Sequence, residues 1–76
     1  MAIHHLKILP EYFNLVKRKT KTFEIRKNDR NYQVGDTLSL REFDSVIGYT
    51  GGILERKITY ITDYAQKDGY VVMGII

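Results

Sequence analysis

Five short segments of this chain have the residue pattern of β-strands, and only one has the spacing of a helix. In most of the strand-like segments apolar and polar side chains alternate, as they do when one face of a strand is buried. The last segment is apolar on both faces, which predicts an interior position in a sheet. The five predicted strands span residues 3–8, 22–27, 37–43, 53–63 and 70–76.

The single helical pattern follows the first predicted strand. Pro10 ends that strand and suits the first turn of a helix, and Tyr12, Phe13 and Val16 supply an apolar stripe through about residue 19. A chain of 76 residues without a linker-like stretch predicts one domain, residues 1–76, with a small core. We therefore expect an α+β fold that is mainly β, in which about five strands form a small curved sheet or mixed β-barrel beside one short helix.

Composition limits the chemistry that the chain can perform. Cysteine is absent, which excludes disulfides and thiolate catalysis and suits a reducing cytoplasm. The two histidines, His4 and His5, are adjacent, so in a strand they point to opposite faces and cannot readily share a metal ion. No apolar run approaches the ~20 residues of a membrane span, and the N-terminus lacks the pattern of a secretory signal. We expect a cytoplasmic protein with no metal, no cofactor and no membrane partner, and the oligomeric state stays open.

Positive charge is concentrated in one part of the chain. Seven of the 12 Lys and Arg residues lie at positions 17–30, against two acidic residues, so this segment carries +5 and the remainder carries −2. A local patch of this kind indicates an anionic partner that meets one face of the protein. The alternative is a solvated strand edge, because Lys on an edge strand also blocks unwanted pairing.

Within the basic segment, residues 22–27 alternate between apolar and polar side chains. We expect Phe23 and Ile25 to face the core, and Glu24 and Arg26 to be presented outward together with the loop that follows. Arg26 and Arg30 can each bind a phosphate through two parallel N–H groups. Glu24 can accept a hydrogen bond from a base edge or act as an acid or base, or it can merely orient Arg26.

Aromatic and polar side chains elsewhere complete the predicted binding site. His5 and Lys7 share the non-core face of the first strand. Tyr49, beside two glycines, is better placed than Tyr32 or Tyr12 to stack on an unpaired base. Tyr12 is expected to pack in the helix. The candidate nucleic-acid or nucleotide-binding residues are Lys21, Glu24, Arg26, Lys27, Asn28, Arg30, His5, Lys7 and Tyr49.

Several short motifs follow one another along nearly the whole chain. They are His-His-Leu-Lys and Pro-Glu-Tyr-Phe within residues 4–13, Lys-Thr-Phe-Glu-Ile-Arg-Lys-Asn-Asp-Arg at 21–30, Val-Gly-Asp at 34–36, Tyr-Thr-Gly at 49–51 and Gly-Tyr-Val-Val at 69–72. This pattern resembles the ASCH group of the PUA-like superfamily, and more closely a compact bacterial and phage branch of the DUF3850 type. The resemblance implies a PUA-like β-barrel with a helix beside it and a basic cleft near residues 21–26.

Two positions depart from the pattern of these relatives. The family tends to place a glycine before the Lys that corresponds to Lys21, where this chain reads Lys17-Arg18-Lys19-Thr20, so the geometry of the turn after the helix is left open. A basic residue often follows the first glycine of the Tyr-Thr-Gly motif, where this chain has Gly52. One cation expected in that loop is therefore missing.

Three hypotheses for function follow from the patch and the resemblance. ASCH domains are generally thought to bind RNA or nucleotides, so the first is a binding module that holds such a ligand in a basic cleft. The second is a small amidohydrolase acting on an acylated nucleoside, because one ASCH branch uses a Lys that matches Lys21. Its Thr falls at Glu24 here, and Glu42 and Glu55 are both available as the further carboxylate. The third is a phage accessory protein whose basic face binds a host protein.

Overall fold

The computed structural model of the chain describes residues 1–76 and contains five strands and one short helix, as the sequence predicts. The elements in chain order are β1 (Ile3–Ile8), α1 (Pro10–Lys17), β2 (Phe23–Lys27), β3 (Thr37–Asp44), β4 (Gly48–Thr62) and β5 (Tyr70–Ile75). Pro10 occupies the first turn of α1, as expected. No helix in the structure is long and apolar enough to cross a lipid bilayer.

The strands form one mixed sheet in the order β1-β3-β4-β5-β2. β1 and β3 run parallel, and the other pairs are antiparallel. The long strand β4 joins the two halves of the sheet, because residues 48–57 pair with β3 and residues 58–62 pair with β5. A register shift between Ile58 and Tyr60 marks a bulge, which bends the strand where it passes from one partner to the other.

The two edge strands of the sheet, β1 and β2, face each other without pairing. Arg26 Nη2, on β2, donates a hydrogen bond of 2.7 Å to the carbonyl oxygen of Lys7, on β1. No backbone ladder joins these strands, so the sheet curls but stays open on this side. The mainly β architecture is thus present, and the gap between β1 and β2 is where a closed barrel would need its last pair of strands.

The core lies on the inner face of the curled sheet, under α1. Phe13 and Val16 are the buried side chains of the helix, and the remaining core residues come mostly from the strands. The buried apolar cluster consists of Leu6, Ile8, Phe13, Val16, Tyr32, Leu38, Leu40, Ile58, Val71, Met73 and Ile75. Packing against the sheet stabilises this helix, because eight residues are too few for a stable isolated helix.

The prediction of strands at 37–43 and 53–63 leaves residues 44–52 as a connection, and this is wrong for most of that segment. β3 extends to Asp44 and β4 begins at Gly48, so only a tight turn separates them. Gly52 has a packing role in this segment, because an added Cβ would lie 2.9 Å from Phe13 Cζ. Only a residue without a side chain allows the helix to approach this strand so closely.

The predicted orientation of β2 is also wrong. Glu24 is only 4% exposed, whereas Phe23 and Ile25 are 42% and 50% exposed. The pairing with β5 explains the reversal, because Glu24 lies opposite Met73, and residues directly opposite in a ladder share a face. The alternating pattern gives the period of a strand correctly but does not say which face is buried.

Candidate functional site

The gap between β1 and β2 opens into a cavity of about 500 Å³. Its apolar wall is formed by Ile8, Leu9, Tyr12, Phe23 and Ile25. Its polar wall is formed by Lys7, Lys21, Glu24 and Arg26. Because β2 is an edge strand, side chains from both of its faces border this space, which we call the aromatic cavity.

A buried carboxylate organises the polar wall of the aromatic cavity. Lys21 Nζ lies 2.5 Å from Glu24 Oε1, and Arg26 Nε donates to Glu24 Oε2 over 3.0 Å. The same two cations also donate to backbone carbonyls, Lys21 to that of Phe23 over 2.6 Å and Arg26 to that of Lys7. The three side chains therefore hold one another in place and carry a net charge of +1.

A second cavity of about 330 Å³ lies on the other side of Lys7 and Arg26. Its lining residues are His5, Leu6, Lys7, Arg26, Arg30, Arg41 and Tyr49. It contains four side chains with permanent positive charge and no carboxylate, so we call it the basic cavity. Lys7 and Arg26 border both cavities, which makes them neighbouring parts of one cleft.

Hydrogen bonding in the basic cavity leaves donors available for a ligand. Arg41 Nη2 donates to His5 Nδ1 over 3.1 Å, which requires the other ring nitrogen of His5, Nε2, to carry the proton. Arg41 Nε is buried and has no hydrogen-bond partner. The donors left for a ligand are therefore the proton on His5 Nε2 and the remaining Nη hydrogens of Arg41.

Comparisons with known proteins identify the family of the chain. Residues 3–75 match the sequence profile described as "Domain of unknown function (DUF3850)". The chain belongs to the DUF3850 family. A curated relative, the "Uncharacterized 12.9 kDa protein in GpA 3'region" of Escherichia phage P2, is 42% identical over 72 residues. The match covers 93% of this DUF3850 chain and 65% of the relative, so the chain spans about two thirds of the length of the curated relative it matches.

Strand pairing explains why His5, Lys7 and Arg41 meet in this DUF3850 domain. The parallel register of β1 and β3 places Lys7 beside Arg41, and His5 two residues earlier lies on the same face of β1. Sequence reasoning missed Arg41 as a site residue. Its position on the face of β3 opposite Leu38 and Leu40 was visible, but its proximity to Lys7 depends on a parallel pairing that periodicity does not reveal.

Turns at the ends of α1 and β2 position the remaining cations. Lys21 follows a turn in which Lys19 N–H and Thr20 N–H donate to the carbonyls of Val16 and Leu15, the arrangement of a Schellman motif. After β2, Asn28 Oδ1 accepts a hydrogen bond from Tyr32 N–H, which closes the loop that carries Arg30. Asn28 therefore shapes the loop and lines neither cavity.

The other predicted residues divide between the two cavities and the surrounding surface. Around the basic cavity the structure brings together His5, Lys7, Arg26, Arg30 and Tyr49, and around the aromatic cavity Lys7, Lys21, Glu24 and Arg26. Lys27 is exposed at the end of β2 and lines neither space.

Three expectations about individual side chains need correction. Tyr32 is only 4% exposed and packs edge-to-face against His4, so it cannot stack on a base. Tyr12, expected to pack within the helix, is 43% exposed and borders the aromatic cavity. Glu42 lies outside both cavities and accepts a hydrogen bond from Thr50 Oγ1, so it is not a partner of Lys21.

A second buried carboxylate lies outside the cleft. Asp36 accepts hydrogen bonds from Ala2 N–H and Gln33 N–H, and its Oδ2 lies 2.9 Å from His4 Nε2. The bonds from Ala2 and His4 outweigh burial and lower the pKa of Asp36 from 3.8 to about 2. Burial raises the pKa of Tyr32, and the positive charges of Arg26 and Arg30 reduce that effect. The structure contains no cluster of three or more His, Asp or Glu side chains suited to a metal ion.

Proposed function

We propose that this DUF3850 domain is a binding module that holds RNA or a nucleotide in the cleft between β1 and β2. The observation that carries the proposal is the basic cavity, in which Lys7, Arg26, Arg30 and Arg41 surround one space without a carboxylate. Positive charges gathered in this way repel one another, and an anion that enters the cavity relieves the repulsion. Phosphate is the anion that arginine recognises most readily through paired N–H groups.

The hydrogen-bond donors of the basic cavity suit a phosphate group. Arg30 has only a distant acidic neighbour, Asp29 at 4.0 Å, so its guanidinium is available. The proton on His5 Nε2 and the unpaired Nη hydrogens of Arg41 add directed donors. Together these groups offer both charge and directional hydrogen bonds, which a merely solvated strand edge does not need.

The aromatic cavity supports a nucleic-acid ligand over a simple anion. It adjoins the basic cavity and presents the rings of Tyr12 and Phe23, on which an unpaired base can stack. Both cavities fall within the range of about 300–1,000 Å³ that is typical of small-molecule sites. The resemblance to ASCH domains points to the same ligand class and to a PUA-like barrel, here open between β1 and β2.

Fluorescence anisotropy with short labelled single-stranded RNA tests the proposal. We expect binding at low salt that weakens as salt is added, because phosphate contacts release counterions. Replacement of Arg30 or Arg41 by alanine should weaken binding about tenfold or more, as expected for the loss of a charge-assisted hydrogen bond. Each substitution should also reduce the salt dependence by roughly one ion.

Lys57→Ala is the matched control for these variants. Lys57 is exposed on β4 and borders neither cavity, so its replacement removes the same charge without touching the cleft. Equal losses in Lys57→Ala and Arg30→Ala would indicate general attraction to the surface and would contradict a site between β1 and β2. Absence of affinity for RNA, single-stranded DNA and nucleotides at low salt would overturn the proposal entirely.

Hydrolysis of an acylated nucleoside is the second candidate, because Lys21, which matches the Lys used by one ASCH branch, borders the aromatic cavity. Two features count against it. The carboxylate and the Phe23 carbonyl both hold the ammonium form of Lys21, which is not a base or a nucleophile. No Ser, Thr or Cys borders the aromatic cavity. We therefore expect no turnover of acetylated cytidine, and turnover that Lys21→Ala abolishes would reverse the preference for binding.

A further inference from the structure

The polar wall of the aromatic cavity has a defined order of donors and acceptors. Lys21 contacts one oxygen of Glu24 and Arg26 contacts the other, so the carboxylate lies between two cations. The wall therefore presents a donor, an acceptor and a donor in sequence. Hydrogen bonds of 2.5 Å and 3.0 Å fix the three groups relative to one another before any ligand enters.

Each of the three groups keeps hydrogen-bonding capacity for a ligand. The ammonium of Lys21 donates to Glu24 and to the Phe23 carbonyl, which leaves one proton free. Arg26 donates one hydrogen each from Nε and Nη2, which leaves the second Nη2 hydrogen and both Nη1 hydrogens free. The carboxylate accepts one bond at each oxygen in the structure and has further lone pairs.

Among nucleic-acid bases, an imide edge is complementary to this order at all three positions. Uracil and thymine present a carbonyl, an N–H and a carbonyl, which match a donor, an acceptor and a donor. Cytosine and adenine place an unprotonated ring nitrogen where the N–H would face Glu24, so two acceptors would meet. Guanine places an amino group against one of the cations. An unmatched polar group in a desolvated site is what makes hydrogen-bonded recognition selective.

We propose that the aromatic cavity selects a nucleotide with an imide base, uracil or thymine, whose phosphate lies in the basic cavity. This inference rests on the proposed function and names the ligand class for the same cleft. Lys21 Nζ lies 4.8 Å from the centre of the Phe23 ring and 5.7 Å from that of Tyr12, so a base that contacts Lys21 would lie against these two rings. Lys7 and Arg26, which border both cavities, connect the position of the base with the position of the phosphate.

Isothermal titration calorimetry with nucleoside monophosphates tests the inference on the unmodified chain. UMP should bind at least about tenfold more tightly than CMP, AMP or GMP, which is the discrimination expected from a matched base edge. UMP methylated at N3 lacks the central donor but keeps the ring and the phosphate, and it should bind no better than CMP. TMP distinguishes the two imide bases, because the two share this edge and differ in the 5-methyl group.

Glu24→Gln provides an independent test through the protein. Glutamine presents an amide in place of the carboxylate, so preference for UMP over CMP should fall to within about threefold while both nucleotides still bind. Glu55→Gln, on an exposed carboxylate of β4, is the matched control and should keep the full preference. The comparison of UMP with N3-methyl-UMP needs no variant and stands even where Glu24→Gln fails to fold.

The outcomes separate this inference from the proposed function. Equal binding of UMP, CMP and N3-methyl-UMP that Arg30→Ala still weakens would overturn base selection and leave the nucleic-acid site in place. RNA binding without affinity for any mononucleotide would also overturn base selection and leave the nucleic-acid site in place. No binding of RNA or of any nucleotide would overturn both.

Discussion

The protein contains two carboxylates that are almost equally buried, Glu24 at 4% and Asp36 at 3% exposure, but their partners differ in kind. Asp36 accepts hydrogen bonds from two backbone amides and contacts the buried ring of His4. Glu24 contacts only the side chains of Lys21 and Arg26, and both of these border a cavity.

The difference shows that burial and pairing alone do not identify a binding site. The partners of Asp36 belong to the fold, since the N-terminal residues, β1 and the turn before β3 converge on this carboxylate. The partners of Glu24 border the aromatic cavity and have donors that the structure leaves unused. We infer that Asp36 holds the structure together, whereas under the proposed function Glu24 is the carboxylate that would meet a ligand.

Asp36→Ala is expected to have the largest effect on stability. The substitution leaves the N–H groups of Ala2 and Gln33 and the His4 ring without their acceptor, and buried donors without acceptors are strongly unfavourable. The midpoint of urea denaturation should fall well below that of the wild type. Asp68→Ala, which removes an exposed carboxylate, should leave the midpoint unchanged. Equal midpoints in the two variants would show that Asp36 has no structural role.

Acid should remove the contribution of Asp36 in a defined pH window. Because hydrogen bonds lower the pKa of Asp36 from 3.8 to about 2, the unfolded chain takes up this proton more readily than the folded one. The stabilisation is complete well above pH 3.8 and is lost as the pH falls toward about 2. The difference in unfolding free energy between the wild type and Asp36→Asn should shrink across this window. A difference that stays constant down to pH 2 would contradict the assignment.

Glu24→Leu should lower the unfolding free energy less than Asp36→Ala does, and it should change the binding of inorganic phosphate more. Removal of the carboxylate leaves Lys21 and Arg26 unpaired, but both border the open cavity and water can solvate them. We expect the unfolding free energy to fall by about 1–2 kcal/mol, below the roughly 3–5 kcal/mol of a fully buried pair. Binding of inorganic phosphate should strengthen at low salt, because the net charge of the cleft rises. Glu55→Leu, outside the cleft, should change neither quantity, and weaker phosphate binding in Glu24→Leu would contradict the prediction.

The sequence predicts the elements of this fold better than their mutual arrangement. The bounds of β1 are correct because alternation begins and ends cleanly before Pro10. The predicted start of β4 is too late, because Gly51 and Gly52 resemble a turn in the sequence. In the structure both glycines lie within the strand, and Gly52 packs against Phe13 of the helix. Backbone hydrogen bonds form this part of β4 without an alternating side-chain pattern, so the sequence does not reveal it.

The candidate site is predictable in its charges and not in its geometry. The cations of residues 21–30 and those of β1 were found from their density and strand position. Their convergence depends on β1 and β2 being the two edges of a curled sheet, which is a property of the topology. The inward orientation of Glu24 was missed because the apolar side chains of β2 imply a core-facing row, whereas the open edge gives both faces of the strand a cavity to border.

Lys19→Gly is expected to have the smallest effect, and it is the one change that should stabilise the protein. Lys19 has a φ of 61° at the end of α1, a left-handed conformation that glycine adopts without strain. Its replacement should raise the unfolding free energy by about 0.5–1 kcal/mol, a value typical of relieving such strain. Lys17→Gly removes the same charge two residues earlier, at the last residue of α1, and should instead lower the unfolding free energy, by up to about 1 kcal/mol. Since Lys19 lies outside both cavities but just before Lys21, unchanged RNA affinity in Lys19→Gly would show that the turn already holds Lys21 in its binding position. A destabilised Lys19→Gly variant would contradict the strained turn.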